Sequence, residues 1–176
     1  MATANTRMVV QVDPNEPAKI VIPAPKRVAE IIREKGSFSM ADIKGAHKDS
    51  GVVHGTNCCQ CEAEDLPSDR TFRNAWDVDV DATDPTFNGK RVKLNKPRAV
   101  EVAKGNIRQV RDAKLKEKDL EVMRADEEGD TAKKAAAVAS KQKLRDATDD
   151  VRLTNAADEV ELKSAMEAIC AECEAE

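Results

Sequence analysis

From Asn95 onward the chain has no aromatic residue, no proline after Pro97 and only two glycines, Gly105 and Gly129. Sandwiches, barrels and doubly wound sheets draw on β-branched and aromatic bulk that such a segment lacks. It can instead form helices whose small side chains let their axes come close. The remainder adds little bulk. Phe38, Phe72, Trp76 and Phe87 are the only aromatics, 2% of 176 residues, while charged residues make up 35%. The fold class this predicts is mainly α with thin interfaces: an extended N-terminal arm with short β elements, then a long helical hairpin and a short C-terminal helix.

Helix signals divide residues 95–176. Asn95 is a candidate N-cap and Pro97 fits the first turn of a helix running to about Glu128. Ala99, Val100, Ala103, Ile107, Val110 and Lys114 mark its stripe, and Leu115, Leu120 and Met123 continue it with a shift of face. Asp112 and Lys116 form an i,i+4 pair. Gly129-Asp130-Thr131 ends this helix, with Asp130 or Thr131 capping the next, about Ala132 to Ala147. There Ala135, Val138, Ala139 and Gln142 form a thin stripe for antiparallel packing. A third helix starts near Thr154 or Asn155, and Leu162, Met166, Ile169 and Cys173 share one face of it. A buried CH₂ contributes only about 0.8 kcal/mol, against roughly 1–2 kcal/mol of backbone entropy per residue. The expectation is that these helices pack on a partner chain; an autonomous small bundle is the other reading.

Before Asn95 the organisation is mixed. Met8–Val12 and Lys19–Ile22 read as short strands, and Pro14, Pro17, Pro23 and Pro25 suit an arm more than a sheet centre. Residues 1–36 are thus expected to be an extended arm ending in a short helix from Pro25 to Lys35, with Gly36 as its C′ residue and Val28, Ile31 and Ile32 as its stripe. Residues 37–64 read as a cysteine-containing loop insertion, with Ser39 capping a short helix through Gly45. Residues 65–94 combine an aromatic anchor with a small β unit. Trp76, Val78 and Val80 alternate there with Asp77, Asp79 and Asp81, a tight turn falls at Asn88-Gly89, and Val92 and Leu94 follow.

Cys58, Cys59, Cys61, Cys170 and Cys173 are candidates for disulfides, which would suit a weak core outside a reducing cytosol. Free thiols stay open as an alternative. A zinc tetrad is disfavoured by irregular spacing. Redox chemistry at Cys170 and Cys173 is disfavoured by a helix C-terminus beside Glu172 and Glu174. The run from Asp77 to Asp84 lacks the glycine and glutamate of an EF-hand, having Ala82 and Asn88 at those positions. His47 and His54 sit in no catalytic motif, and Asn88-Gly89-Lys90 is no phosphate loop. Lys90, Arg91, Lys93, Lys96 and Arg98 form a short basic cluster, but a net charge of −4 leaves no broad footprint for nucleic acid. No enzyme activity, catalytic residue, metal or cofactor is expected. No membrane span or signal peptide is legible. The candidate interface residues are Arg70, Phe72, Arg73 and Trp76, since interfaces favour aromatic and arginine anchors, with Leu162, Met166 and Ile169 from the last helix. Phe72 and Trp76 forming the local core is the competing reading.

Three segments then carry a resemblance: Asp65-Leu-Pro-Ser-Asp-Arg-Thr-Phe-Arg-Asn-Ala-Trp76, Glu127-Glu-Gly-Asp130 and Lys141-Gln-Lys-Leu-Arg-Asp146. Together they resemble small proteins encoded among the tail genes of tailed bacteriophages, over about residues 8–169. Asp158 to Leu162 resembles the closing helix of that group. The cysteine clusters and the stretch from Ser37 to Cys61 depart from the pattern. The resemblance implies a tail, baseplate or fibre-attachment role in the virion, synthesis in the bacterial host cytoplasm and no catalytic residues. The partners it implies are other phage structural proteins and further copies of the chain in a homo-oligomer or symmetric assembly. A transient assembly factor and a neck or capsid decoration protein are the alternatives.

Overall fold

Met8, Val9 and Val10 are apolar at consecutive positions, the pattern of a strand covered on both faces. A computed structural model describes residues 6–11, 16–22, 24–39, 41–42, 58–62, 65–67, 69–79, 81, 83–85 and 90–176. The chain forms two compact units, Met1–Asn95 and Lys96–Glu176. Its fold is mainly α, as composition predicts.

In the first unit, β1 (Thr6–Val10) lies between β2 (Lys19–Val21) and β3 (Cys58–Glu62), antiparallel to both. Met8, Val9 and Val10 are each 0% exposed. On one face Met8, Val10 and Cys58 pack with Val21, Phe38, and Val28 and Ile31 of α1 (Pro25–Lys35). On the other, Val9, Cys59 and Cys61 pack with Leu66, Trp76, Val92 and Ile20. Cross-strand partners share a face, as pleating requires: Val9 opposite Cys59, Val10 opposite Cys58. The short strands expected near Met8–Val12 and Lys19–Ile22 thus form, and β1 takes the centre of a three-stranded sheet. Pro17 and Pro25 lie outside the strands, so they interrupt no ladder. Within the expected cysteine loop, residues 58–62 are corrected to an edge strand. A buried cysteine packs as a small hydrophobe, so Cys58, Cys59 and Cys61 serve where valines would.

Helix α1 ends as expected, with Gly36 at φ 77° and its N–H donating to the Ile32 carbonyl at 2.8 Å. Ile32 itself is exposed, so the stripe narrows to Val28 and Ile31. The Ser39 N–H and hydroxyl both donate to Asp42. Gly45, Gly51, Gly55, Val80, Asn88-Gly89, His47 and His54 lie outside the described residues. Strands β4 (Trp76–Val78) and β5 (Val92–Leu94) pair antiparallel, with Trp76 opposite Leu94.

In the second unit, α2 (Lys96–Glu127) begins directly after Asn95 and extends about 48 Å. Ala99, Val100, Ala103 and Ile107 are buried. Asp112 pairs with Arg111 instead of Lys116. Gly129 turns the chain at φ 72°, and Asp130, rather than Thr131, caps α3 (Thr131–Asp146) by accepting from the Lys133 N–H at 2.9 Å. Lys134 pairs with Asp126 and Lys141 with Asp119, so α3 runs antiparallel to α2. Its buried face carries Ala137 and Leu144, while Ala135, Val138, Ala139 and Gln142 are exposed. The predicted stripe is off by about one residue, roughly 100° of rotation. Alanines ring this helix without direction, and the bulky Leu144 decides which side turns in.

Asp150 caps a short α4 (Val151–Asn155). The last helix, α5 (Glu159–Ala175), then starts later than expected, capped by Asp158 accepting from the Glu161 N–H at 2.9 Å. Leu162, Met166, Ile169 and Cys173 are its buried face, and α5 packs on α2. The Asn106 amide reaches the Met166 sulfur at 3.3 Å. The long α2 thus carries α3 and α5 both, an arrangement of three helices around shared apolar residues. Leu120 and Met123 do not continue the buried stripe; they are 53% and 58% exposed.

Candidate functional site

The segment Asp65–Trp76 is held by its own polar side chains. Asp65 accepts from the Glu62 N–H at 2.9 Å. Asp69 accepts from the Thr71 N–H at 2.7 Å and from its hydroxyl at 2.6 Å, a local aspartate turn. A 3₁₀ turn over Arg73–Ala75 follows, and the Ala75 N–H donates to the Phe72 carbonyl at 2.8 Å. The chain then enters β4, where the Trp76 carbonyl accepts from the Ala18 N–H at 3.0 Å.

These turns sort the segment by polarity. Phe72 and Trp76 are each 0% exposed, and Trp76 belongs to the sheet core. Arg70 and Arg73 are exposed, and the Arg70 guanidinium stands 5.6 Å from the centre of the Trp76 ring. That is cation–π distance, and it places Arg70 over the ring. Beside it lies an open cleft of about 440 Å³, lined by Lys19, Ile20, Ile22, Arg70, Arg73 and Trp76 among others. Ile22 is 56% exposed. Cationic groups beside an exposed isoleucine suit an acidic segment with apolar side chains.

The seven candidate interface residues therefore divide. Phe72 and Trp76 are buried inside the chain, and Leu162, Met166 and Ile169 lie on the inward face of α5, which packs on α2, so none of the five is presented to a partner. The correction has one cause: with so few large side chains available, the chain uses them for its own core. Arg70 and Arg73 remain on the surface.

The cysteines are corrected likewise. All five are free thiols, so the candidate disulfides among Cys58, Cys59, Cys61, Cys170 and Cys173 are not formed. Cys58 faces the opposite side of the sheet from Cys59 and Cys61. Burial pushes the Cys59 thiol up to about 11. Burial first, then Glu174 and Glu167, raises Cys170; burial first, then Cys170 and Glu172, raises Cys173. Thiols shifted upward carry little thiolate at neutral pH and react slowly. Thiol titration of the denatured, unreduced protein should count five; a count of three or one would reinstate a cross-link.

The acidic run holds the chain's own backbone and amides. Asp77 accepts from Gln11 at 3.3 Å and from Asn95 at 2.8 Å. Asp79, 8% exposed, accepts from the N–H groups of Thr83 at 3.3 Å and Asp84 at 3.0 Å. Among the described residues no group of three His, Cys, Asp or Glu is placed to hold a metal ion. No described helix is long and apolar enough to cross a membrane.

Leu120 and Met123, expected on the stripe of α2, and Val138, expected on the packing stripe of α3, are corrected to the surface. Leu120 and Met123 on α2 and Val138 on α3 are all about half exposed or more. Apolar character alone misplaces them, since each sits off the face that its helix buries. Comparison with models of protein families, with curated proteins and with solved structures gave no match.

Proposed function

We propose that this chain is a structural virion protein of a tailed bacteriophage, a tail, baseplate or fibre-attachment component acting by protein–protein adhesion. The observation that carries the reading is the polarity of Asp65–Trp76, the segment with the most specific resemblance. Its aromatics are spent on the core, while Arg70 and Arg73 face outward beside an open cleft. In this reading the cleft takes an acidic, apolar-bearing segment of a neighbouring structural protein. Arginine stacked on Trp76 is held in place before binding, which lowers the entropy lost on association. Each contact is weak, and many copies in a symmetric assembly supply avidity. The role is adhesive, with no enzyme activity, and no cofactor enters it.

Quantitative mass spectrometry of purified particles tests the proposal. Stoichiometric presence that follows tails when tails and capsids are separated supports it. Absence from particles points to a tail-fibre assembly factor, and presence on capsids or necks to a decoration protein. An R70E/R73E chain that folds but is no longer incorporated would assign the contact to the cleft.

A further inference from the structure

The outward face of α2 carries Lys116, Leu120, Met123 and Glu127 at intervals of four, three and four residues, one straight stripe on a helix. Leu120 and Met123 are 53% and 58% exposed. Lys116 and Glu127 are also exposed, and among the described residues neither takes part in an ion pair. On the same helix Lys104, Arg111, Lys114, Lys118, Asp119 and Asp126 are paired within the chain, while Arg124, like Lys116 and Glu127, takes part in no ion pair among the described residues.

The stripe reads the same in both directions once charge sign is inverted. A two-fold axis between Leu120 and Met123 sets Leu120 against the partner's Met123. The same axis sets Lys116 against the partner's Glu127, and Glu127 against the partner's Lys116. Apolar residues meet at the centre, opposite charges meet at both ends, and no like-charge contact arises within the stripe. A parallel pairing in register would oppose Lys116 to Lys116 and Glu127 to Glu127. The α3 register adds apolar area. The pairs Lys134–Asp126 and Lys141–Asp119 bring Val138, 48% exposed, level with the turn of α2 that holds Met123. Val138 lies one turn from Lys134 and Met123 one turn from Asp126, on the side away from buried Ala125 and Ala137.

We propose that this face of α2 binds a second copy of the same chain, antiparallel and two-fold symmetric, with Leu120 and Met123 at its centre and reciprocal Lys116–Glu127 pairs at its ends. The proposal deepens the adhesive reading by naming one surface and its partner, and it stands or falls apart from the virion assignment. An isologous contact of this kind closes at two copies. A patch this small gives a weak dimer, on the order of micromolar to hundreds of micromolar, with specificity set by the charges more than by area.

Sedimentation equilibrium of the full chain across that concentration range is the test, with circular dichroism to confirm that each variant stays helical. The expected result is a monomer–dimer equilibrium. Lys116→Glu should weaken it on the order of 10-fold, because both symmetry-related pairs turn repulsive. Glu127→Lys should do the same, and the K116E/E127K double variant should restore dimerisation. L120K/M123K should be monomeric throughout. A wild-type chain that stays monomeric at all concentrations overturns the proposal. So does a dimer indifferent to L120K/M123K, or one that the double charge swap fails to rescue. None of these results depends on whether the chain is found in phage particles.

Discussion

The two units solve the shortage of bulky residues in opposite ways. In Met1–Asn95 a few large side chains from distant segments meet on either side of one strand: Met8 and Val10 with Phe38, Val9 with Trp76 and Val92. In Lys96–Glu176 no aromatic is available, and three helices close on Ala99, Ala103, Ile107, Leu144, Leu162 and Ile169. The first unit concentrates its stabilisation in a handful of positions and closes long loops to do so. The second spreads it over many small contacts formed largely along continuous helix. A loss at one position should therefore be felt more in the first unit than in the second.

That contrast can be broken by substitution. Trp76→Ala should have the largest effect, about 3–5 kcal/mol, by removing a wholly buried ring from the sheet core. Hydrogen exchange should then accelerate in β1, β3 and β4 while α2 and α5 keep their protection. Equal acceleration in both units would show that they fold as one. Leu144→Ala should cost about 2–4 kcal/mol and raise exchange in α2 and α3, leaving β1 protected. Gly129→Ala should cost about 1 kcal/mol in chemical denaturation, because its φ of 72° disfavours an L side chain although nothing lies within 4 Å of the added Cβ.

The smallest effect sharpens the picture of how the helical unit is tied. The hydrogen bond from the Lys133 N–H, then the Lys133 side chain, holds the Asp130 carboxyl below its ordinary value of 3.8. A lowered folded pKa gives a contribution that is complete well above 3.8 and fades as pH falls through 3.8 toward the folded value. Helicity of wild type should fall more than that of Asp130→Asn over this acid range, since asparagine caps without titrating. Circular dichroism against pH reads the difference, and parallel curves would remove Asp130 from the account.

Legibility varied with the kind of signal. The face Leu162, Met166, Ile169 and Cys173 was readable because its spacing matches a helix turn and no other large aliphatic side chain lies on α5 except Val160, which is 75% exposed. Gly36 and Gly129 were readable because each stands alone after a helix and takes positive φ. The inward side of α3 was misread because Ala135, Ala136, Ala137 and Ala139 offer equal apolar area on every side. Of the site, Arg70 and Arg73 were legible as surface groups, whereas the fate of Phe72 and Trp76 was not. An aromatic marks a packing centre from sequence, but whether it packs inward or outward depends on what else arrives there.

Local chemistry thus set the helical character of residues 96–176, the cap at Asp130, the stop at Gly36 and the inward face of α5, because each depends on side chains within a few residues along the backbone. Only the tertiary structure made Met8–Val10 a central strand, turned the cysteine cluster into an edge strand of free thiols, and left Leu120 and Met123 outside. Burial of those residues is decided by segments tens of residues away, whose arrival no local pattern records.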